Sequence, residues 1–480
     1  MGFSSLDYLI IAVYLLGVAI FGIISGGKQK STNDYFLGSR KIPWWAVCFA
    51  IVATETSTLT FISIPGVAYV TNLNFLQLTI GYIIGRVLIA FIFLPAYFSG
   101  NIETAYTFLG NRFGTTTRKT ASIVFMITRL FADGVRLYAT AIPIKLITGV
   151  DYPTAIILTA VVTFVYTYIG GIRAVIWMDV VQMFIYLVGA VAAIWVLNSQ
   201  IPESIASIFA MQNISEKFSF FNFGNNLDLK TFFSTPYTFL GSVLGGMFLS
   251  MASHGTDQLI VQRLLATDSL SSSKKAIITS GFIVMFQFAL FLFIGILLYV
   301  FYNGAKMDPN EVFPLYIINH IPSGIAGLII AGLLAAAMST LSGSMNSLAS
   351  AVMFDFYKPL FGQTTTPDRE LRISRFITAL WCCLLIGSAF IFMNTPKTVV
   401  ELALSIASFT YGGLLGTFLL GVLFKKTQQR DALIAFATGV IVMIGVIYFT
   451  SIAWTWYTVI GSVTTVGVGI MVSKVRKPRF

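Results

Sequence analysis

Charge is what this 480-residue chain has least of: 10% of its residues are Asp, Glu, Lys or Arg, where a soluble domain carries roughly a quarter. That scarcity excludes a large soluble protein, and no stretch has the composition of a separate soluble domain. Histidine is nearly missing. The two present are His254 and His320, and no GxSxG or HExxH pattern falls in an apolar run, so a membrane-embedded hydrolase has little to build on. Cysteine is scarce too. Cys48, Cys382 and Cys383 all lie in apolar segments and imply packing, not a disulfide framework.

What is there is hydrophobic: 56% of the chain, with a mean hydropathy of +0.84. Apolar runs of about 20 residues can each cross a bilayer as a helix. Thirteen are read, near residues 6–26, 43–71, 75–98, 120–148, 153–169, 174–198, 236–254, 276–302, 323–353, 373–393, 398–424, 431–450 and 452–472. The expected class is an all-α polytopic membrane protein. With the N-terminus outside, the inner loops hold twenty-two of the 30 Lys and Arg residues, Arg263, Lys274 and Lys275 among them. The outer loops hold only Lys217, Lys230, Lys306 and Lys397, which is the positive-inside pattern. An odd number of spans leaves the C-terminus in the cytoplasm. The net charge of +11 is therefore a topology signal spread over short loops, not a nucleic-acid surface. The basic tail after Ser473 is expected against anionic headgroups. The first run has Asp7 before it and no basic n-region, so it reads as a retained helix. The aromatic-rich outer loop 199–235 either caps an outer vestibule or packs as plain surface.

Polar residues inside the runs carry the functional argument. Residues 324–350, GIAGLIIAGLLAAAMSTLSGSMNSLAS, can cross a membrane yet contain Ser339, Thr340, Ser342, Ser344, Asn346 and Ser347. No water solvates such groups in hydrocarbon, so they need either close helix packing or a polar site. The second run carries Ala53-Thr54-Glu55-Thr56-Ser57-Thr58 ahead of Pro65 and Gly66. Two readings stand. One is a discontinuous helix whose freed carbonyls suit a hard cation such as sodium; the other is a hydroxyl-rich packing helix with intact backbone. Asp179, inside the sixth run, can ligate a cation, relay a proton or pair with an arginine. Arg129, Asp133 and Arg136 share one helical face. With Arg86 and Glu55 they make either a network that holds helices in register or one with an arginine left to meet a solute. Gly241, Gly245 and Gly246 permit close packing or a helix break in the seventh run. A break there would echo the second run, five helices away, as an inverted repeat requires.

Three segments in order, TYIGGIRAVIWMDVVQ (167–182), SHGTDQLIVQRLLATD (253–268) and GIAGLIIAGLLAAAMSTLSGSMNS (324–347), resemble the sodium/solute symporter family of sodium–glucose, sodium–proline and bacterial sialic acid symporters. The resemblance runs to about residue 430. It implies a single transmembrane transporter domain over 1–480. Its five-plus-five inverted repeat would occupy about 43–198 and 236–424, with one extra helix before it (6–26) and two after (431–450 and 452–472). It implies a sodium ion held by the carbonyls of Ala53, Thr56 and Ala336 and the hydroxyls of Ser339 and Thr340. Some members hold a second sodium, here Asp179 with Ser339 and Ser342, although Gly343 stands where the sialic acid type has serine. Solute contacts map to Ser57, Thr60 and Phe75, with Glu55 as a further candidate. The sialic acid type's carboxylate-binding arginine aligns with Ala132, one turn from Arg136, which is the candidate replacement.

The function implied is sodium-coupled symport of a small polar organic solute by alternating access: a sugar, a sugar acid such as sialic acid, a polyol or an organic acid. Sodium is the one cofactor. No enzymatic activity, nucleic acid or obligatory protein partner is expected. The location implied is the plasma membrane, or the inner membrane of a Gram-negative bacterium. A proline-type amino-acid symporter and a transporter-like sensor or receptor that does not transport are the alternatives.

Overall fold

Helices carry nearly all of the computed structural model, which describes residues 4–475 except 211, 363 and 394–398. Lys397 and the tail residues Arg476, Lys477 and Arg479 lie outside the described residues. The helices that matter below are α1 (Ser5–Gly26), α2 (Trp44–Glu55), α3 (Thr58–Val70), α4 (Leu76–Leu88), α5 (Thr115–Thr148), α6 (Tyr152–Gln200), α7 (Phe239–Gly255), α8 (Gln258–Leu265), α9 (Leu270–Phe301), α10 (Ile325–Ala351), α11 (Pro367–Phe392), α12 (Val399–Leu423), α13 (Gln429–Phe449) and α14 (Tyr457–Val475). Among the described residues, nine helices are long and apolar enough to cross a membrane, or ten when α2 and α3 count as one bent span. The 49-residue α6 would be about 74 Å long if straight, over twice a hydrocarbon core. It kinks at Gly171 (φ 57, ψ −153), a conformation that a residue with a Cβ resists.

The hydroxyl-rich helix α10 lies at the centre of the bundle, buried without interruption from Ile329 to Ala351. α6 covers it most extensively, with α1, α5 and α11 around it. Its serines are satisfied without water. Ser342, Ser347 and Ser350 each donate to a carbonyl three residues back, at 3.0–3.2 Å, and Ser344 donates to Asp133 Oδ2 at 2.5 Å. Its N-terminus, where the helix dipole favours an anion, is capped from another helix. Asp7 Oδ1 accepts from the backbone N–H of Gly324 and of Gly327, each at 2.8 Å. Asp7→Ala is expected to lower stability by about 1 kcal/mol, read as an earlier thermal unfolding in detergent.

The α7 glycines prove to be packing positions, and the helix runs unbroken past them. A methyl on Gly81 of α4 would stand 2.7 Å from the Met247 backbone nitrogen, and one on Gly246 would stand 3.2 Å from the Leu78 carbonyl carbon. The absent side chains let α4 and α7 touch backbone to backbone. The chain leaves helical geometry only after Gly255, at Thr256 and Asp257, before α8 begins. Arg263 also needs correcting as an inner-loop residue. It lies on α8, which folds back into the bundle, and its side chain is fully buried. The 199–235 loop packs down: the Phe233 ring meets Trp456 at a tilt of 57°, centroids 5.0 Å apart, and the Asn222 N–H donates to Gln77 Oε1 at 3.1 Å.

Candidate functional site

The helix break falls where the hydroxyls cluster. Thr54 Oγ1 donates back to the Ala50 carbonyl at 2.7 Å and Thr56 Oγ1 to the Val52 carbonyl at 2.9 Å, bonds that loosen a helix. Thr56 (φ −79, ψ 98) and Ser57 (φ −91, ψ 170) are extended, and the chain turns by 61° between the two halves. The last backbone bond before the break is Thr56 N–H to Val52 at 3.1 Å. Among the described residues, the Ala53 and Thr54 carbonyls accept no helical N–H across the break, and helical bonding resumes with the Phe61 N–H to Ser57 at 3.2 Å.

Helix α10 passes this opening. Thr340 Oγ1 lies 3.3 Å from the Thr54 carbonyl and 3.3 Å from the Ala336 carbonyl. Ser339, its neighbour, donates to Asp179 Oδ1 at 2.6 Å. The geometry thus brings Ala336, Ser339 and Thr340 against the segment that contains Ala53 and Thr56, all five buried. The Thr56 hydroxyl turns the other way, to Tyr186 at 3.2 Å and to Gln287 Nε2. Thr54 was not expected as a ligand, yet its carbonyl is the one Thr340 touches. Ser342 bonds to the Ser339 carbonyl at 3.0 Å, while Asp179 is engaged by Ser339, Thr54 and Arg263.

Beside the break is a cavity of about 250 Å³. All five expected solute residues line it: Glu55, Ser57, Thr60, Phe75 and Arg136. A gap of about 10 Å³, room for a single water, is lined by Ser57, Arg136, Asp133 and Thr340. Ser57 and Arg136 border both spaces, which links the solute cavity to the α10 hydroxyls.

The buried charges balance. Arg86 pairs with Glu55 and donates to Ser280 at 2.6 Å, and His254 Nε2 lies 3.4 Å from Glu55. Arg136 pairs with Asp133 at 2.7 Å, which also accepts from Ser344 at 2.5 Å. Arg129 lies only 3.4 Å from Asp133 and finds its close partner in Asp257, at 2.6 and 3.0 Å, beside Tyr411. Asp257 and Arg263 are the residues that sequence reasoning missed. The available signal was their place in the 253–268 segment, where the two charges flank the apolar triplet Leu259-Ile260-Val261.

The sequence model of the sodium:solute symporter family matches residues 35–439. The chain belongs to that family. It is 28% identical to the sodium/sialic acid symporter NanT of Aliivibrio fischeri, over 99% of this chain and 94% of that protein. It is 27% identical to the sodium/sialic acid symporter SiaT of Proteus mirabilis, over 99% and 96%. The fold superposes on a solved substrate-bound, outward-open Na+-coupled sialic acid symporter with a TM-score of 0.89, at 27% identity and 99% coverage of both chains. A closed structure of Mhp1, a nucleobase-cation-symport-1 family transporter, shares the fold alone, with a TM-score of 0.58 and 14% identity over 92% and 94% of the two chains. Members of the sodium:solute symporter family are transporters. This chain is accordingly a multi-pass, sodium-coupled symporter of a small polar organic solute.

Proposed function

We propose that this symporter imports a sugar acid of the sialic acid class with sodium. The observation that carries the reading is Arg136. It borders the cavity, its side chain is 27% exposed where those of Arg86 and Arg129 are at most 5%, and its one side-chain bond among the described residues is Nη1 to Asp133. A guanidinium with Nε and Nη2 unengaged among the described residues meets a carboxylate bidentately. Ser57, Thr60 and Glu55 offer hydrogen-bond partners for hydroxyls, and Phe75 and Tyr237 offer apolar faces to a sugar ring. Sodium binds at the break, on the carbonyls of Ala53, Thr56 and Ala336 and the hydroxyls of Ser339 and Thr340, with the Thr54 carbonyl as a further oxygen. Neutral oxygens in this number suit a hard monovalent cation.

The same reading makes the chain one transporter domain with thirteen crossings. The bent α2–α3 pair adds one to the nine apolar helices, α6 counts twice across its Gly171 kink, and the more charged α5 and the partly described α12 complete the set. Two inverted repeats, about 43–198 and 236–424, then form the core, with α1, α13 and α14 outside it. The charge pattern places the N-terminus outside and the C-terminus in the cytoplasm, in the plasma or bacterial inner membrane. No protein partner is invoked.

Uptake of N-acetylneuraminic acid into proteoliposomes tests this directly. Uptake is expected only with an inward sodium gradient, and equal uptake with potassium refutes it. Arg136→Gln is expected to raise the KM for the acid about tenfold or more, since a hydrogen bond to a charged group contributes about 1.5–3 kcal/mol. An unchanged KM would place the carboxylate elsewhere.

A further inference from the structure

Helix α11 begins with three arginines that no neighbouring carboxylate balances. Arg369, Arg372 and Arg375 recur every three residues and so lie along one side of its first turns. Among the described residues none of them forms an ion pair or donates a hydrogen bond. Glu370, between the first two, turns to Lys358 at 3.3 Å and to Thr365 at 3.2 Å, and the exposed Asp368 pairs with none of the three. Arg375 is the least expected. It lies more than two turns inside the helix, within the apolar run, and its Nε is enclosed without an acceptor. The Tyr168 ring lies 5.9 Å from its guanidinium carbon, at the outer limit of a cation–π contact. A guanidinium so placed needs an acceptor from outside the protein.

The surroundings define that acceptor. Arg372, Phe376, Leu380 and Leu384 follow one another at intervals of four, along one ridge of α11, and all four are exposed. α11 is long and apolar enough to cross the membrane, so the apolar members of the ridge meet acyl chains. Leu360 and Phe361, just ahead of the helix, are exposed as well. The arginines therefore stand where hydrocarbon gives way to headgroups. The charge pattern puts this end of α11 on the cytoplasmic side, where anionic lipids collect. The planar fork of a guanidinium matches two phosphate oxygens. We propose that Arg372 and Arg375, with Arg369 beside them, hold the phosphate headgroup of one anionic phospholipid whose acyl chains run along Phe376 and Leu380.

Binding of radiolabelled phosphatidylglycerol to the purified full chain in detergent tests this, whichever way the chain faces in a membrane. One saturable site per chain is expected, displaced by unlabelled phosphatidylglycerol but not by phosphatidylcholine or inorganic phosphate. Equal displacement by phosphatidylcholine overturns the preference for an anionic lipid, and displacement by inorganic phosphate overturns the lipid as occupant. Arg372→Gln/Arg375→Gln is expected to weaken binding at least about tenfold. Lys28→Gln/Lys30→Gln removes as much charge from another inner loop and is expected to leave binding unchanged. Equal losses in the two variants reduce the effect to diffuse charge and overturn the site, as does a folded arginine variant that binds like the unaltered chain. If the arginine variant does not fold, the competition on the unaltered chain decides.

Discussion

Asp257→Ala is expected to lower stability by about 3–5 kcal/mol, the penalty for leaving a buried charge without its partner. Arg129 is 5% exposed and makes its two close bonds to this one carboxylate. Asp133 cannot take over, because it stands 3.4 Å away and already serves Arg136 and Ser344. Folded proteins are stable by only about 5–15 kcal/mol, so the variant is expected to reach the membrane in much reduced amount and to unfold early in detergent. Removing both charges, in Asp257→Ala/Arg129→Met, is expected to recover most of the loss. Equal stability of the single variant and the unaltered chain would show that the pair holds nothing together.

The second large effect is on ion affinity. Ser339→Ala and Thr340→Ala each delete one of the oxygens proposed to surround sodium, and each is expected to raise the sodium needed for half-maximal uptake at least about tenfold, or 1.4 kcal/mol. Thr340→Ser keeps the oxygen and is expected to stay near the unaltered value. Uptake measured across a range of sodium concentrations distinguishes these outcomes. Unshifted curves for both alanine variants would move the ion away from α10.

The parts of this site that the sequence made legible were those that broke a local rule. Hydroxyls crowded into the apolar runs at 53–58 and 339–347 required either close helix packing or a polar site, and of the two readings of 53–58 the structure has the break, at Thr56–Ser57. The parts that escaped obeyed every local rule. Arg263 follows an apolar helix at what hydropathy takes for its inner end, where basic residues belong. Only the return of α8 into the bundle carries it to Asp179, and that is a tertiary fact. Asp257 was hidden in the same way. Gly245 and Gly246 allowed both packing and breakage, and their neighbours decided: the Thr455 carbonyl side of one and the Leu78 backbone beside the other. The sequence separates the runs 153–169 and 174–198, whereas the structure joins them through Gly171 into one continuous but kinked helix.

The Asp7 cap has a consequence for the order in which the molecule is made. The N–H groups that Asp7 accepts from, on Gly324 and Gly327, leave the ribosome 317 and 320 residues after it. At about 5–20 residues per second that interval is roughly a quarter of a minute to a minute. During it, the carboxylate stands in the first turn of α1 with only its local partners, the Ser4 N–H and hydroxyl. The bond that fixes the start of α10 is therefore a late closure between an early segment and a distant one. Nascent chains halted before residue 324 are expected to lack it, and chains released past residue 351 are the first in which α1 and a complete α10 can lock together.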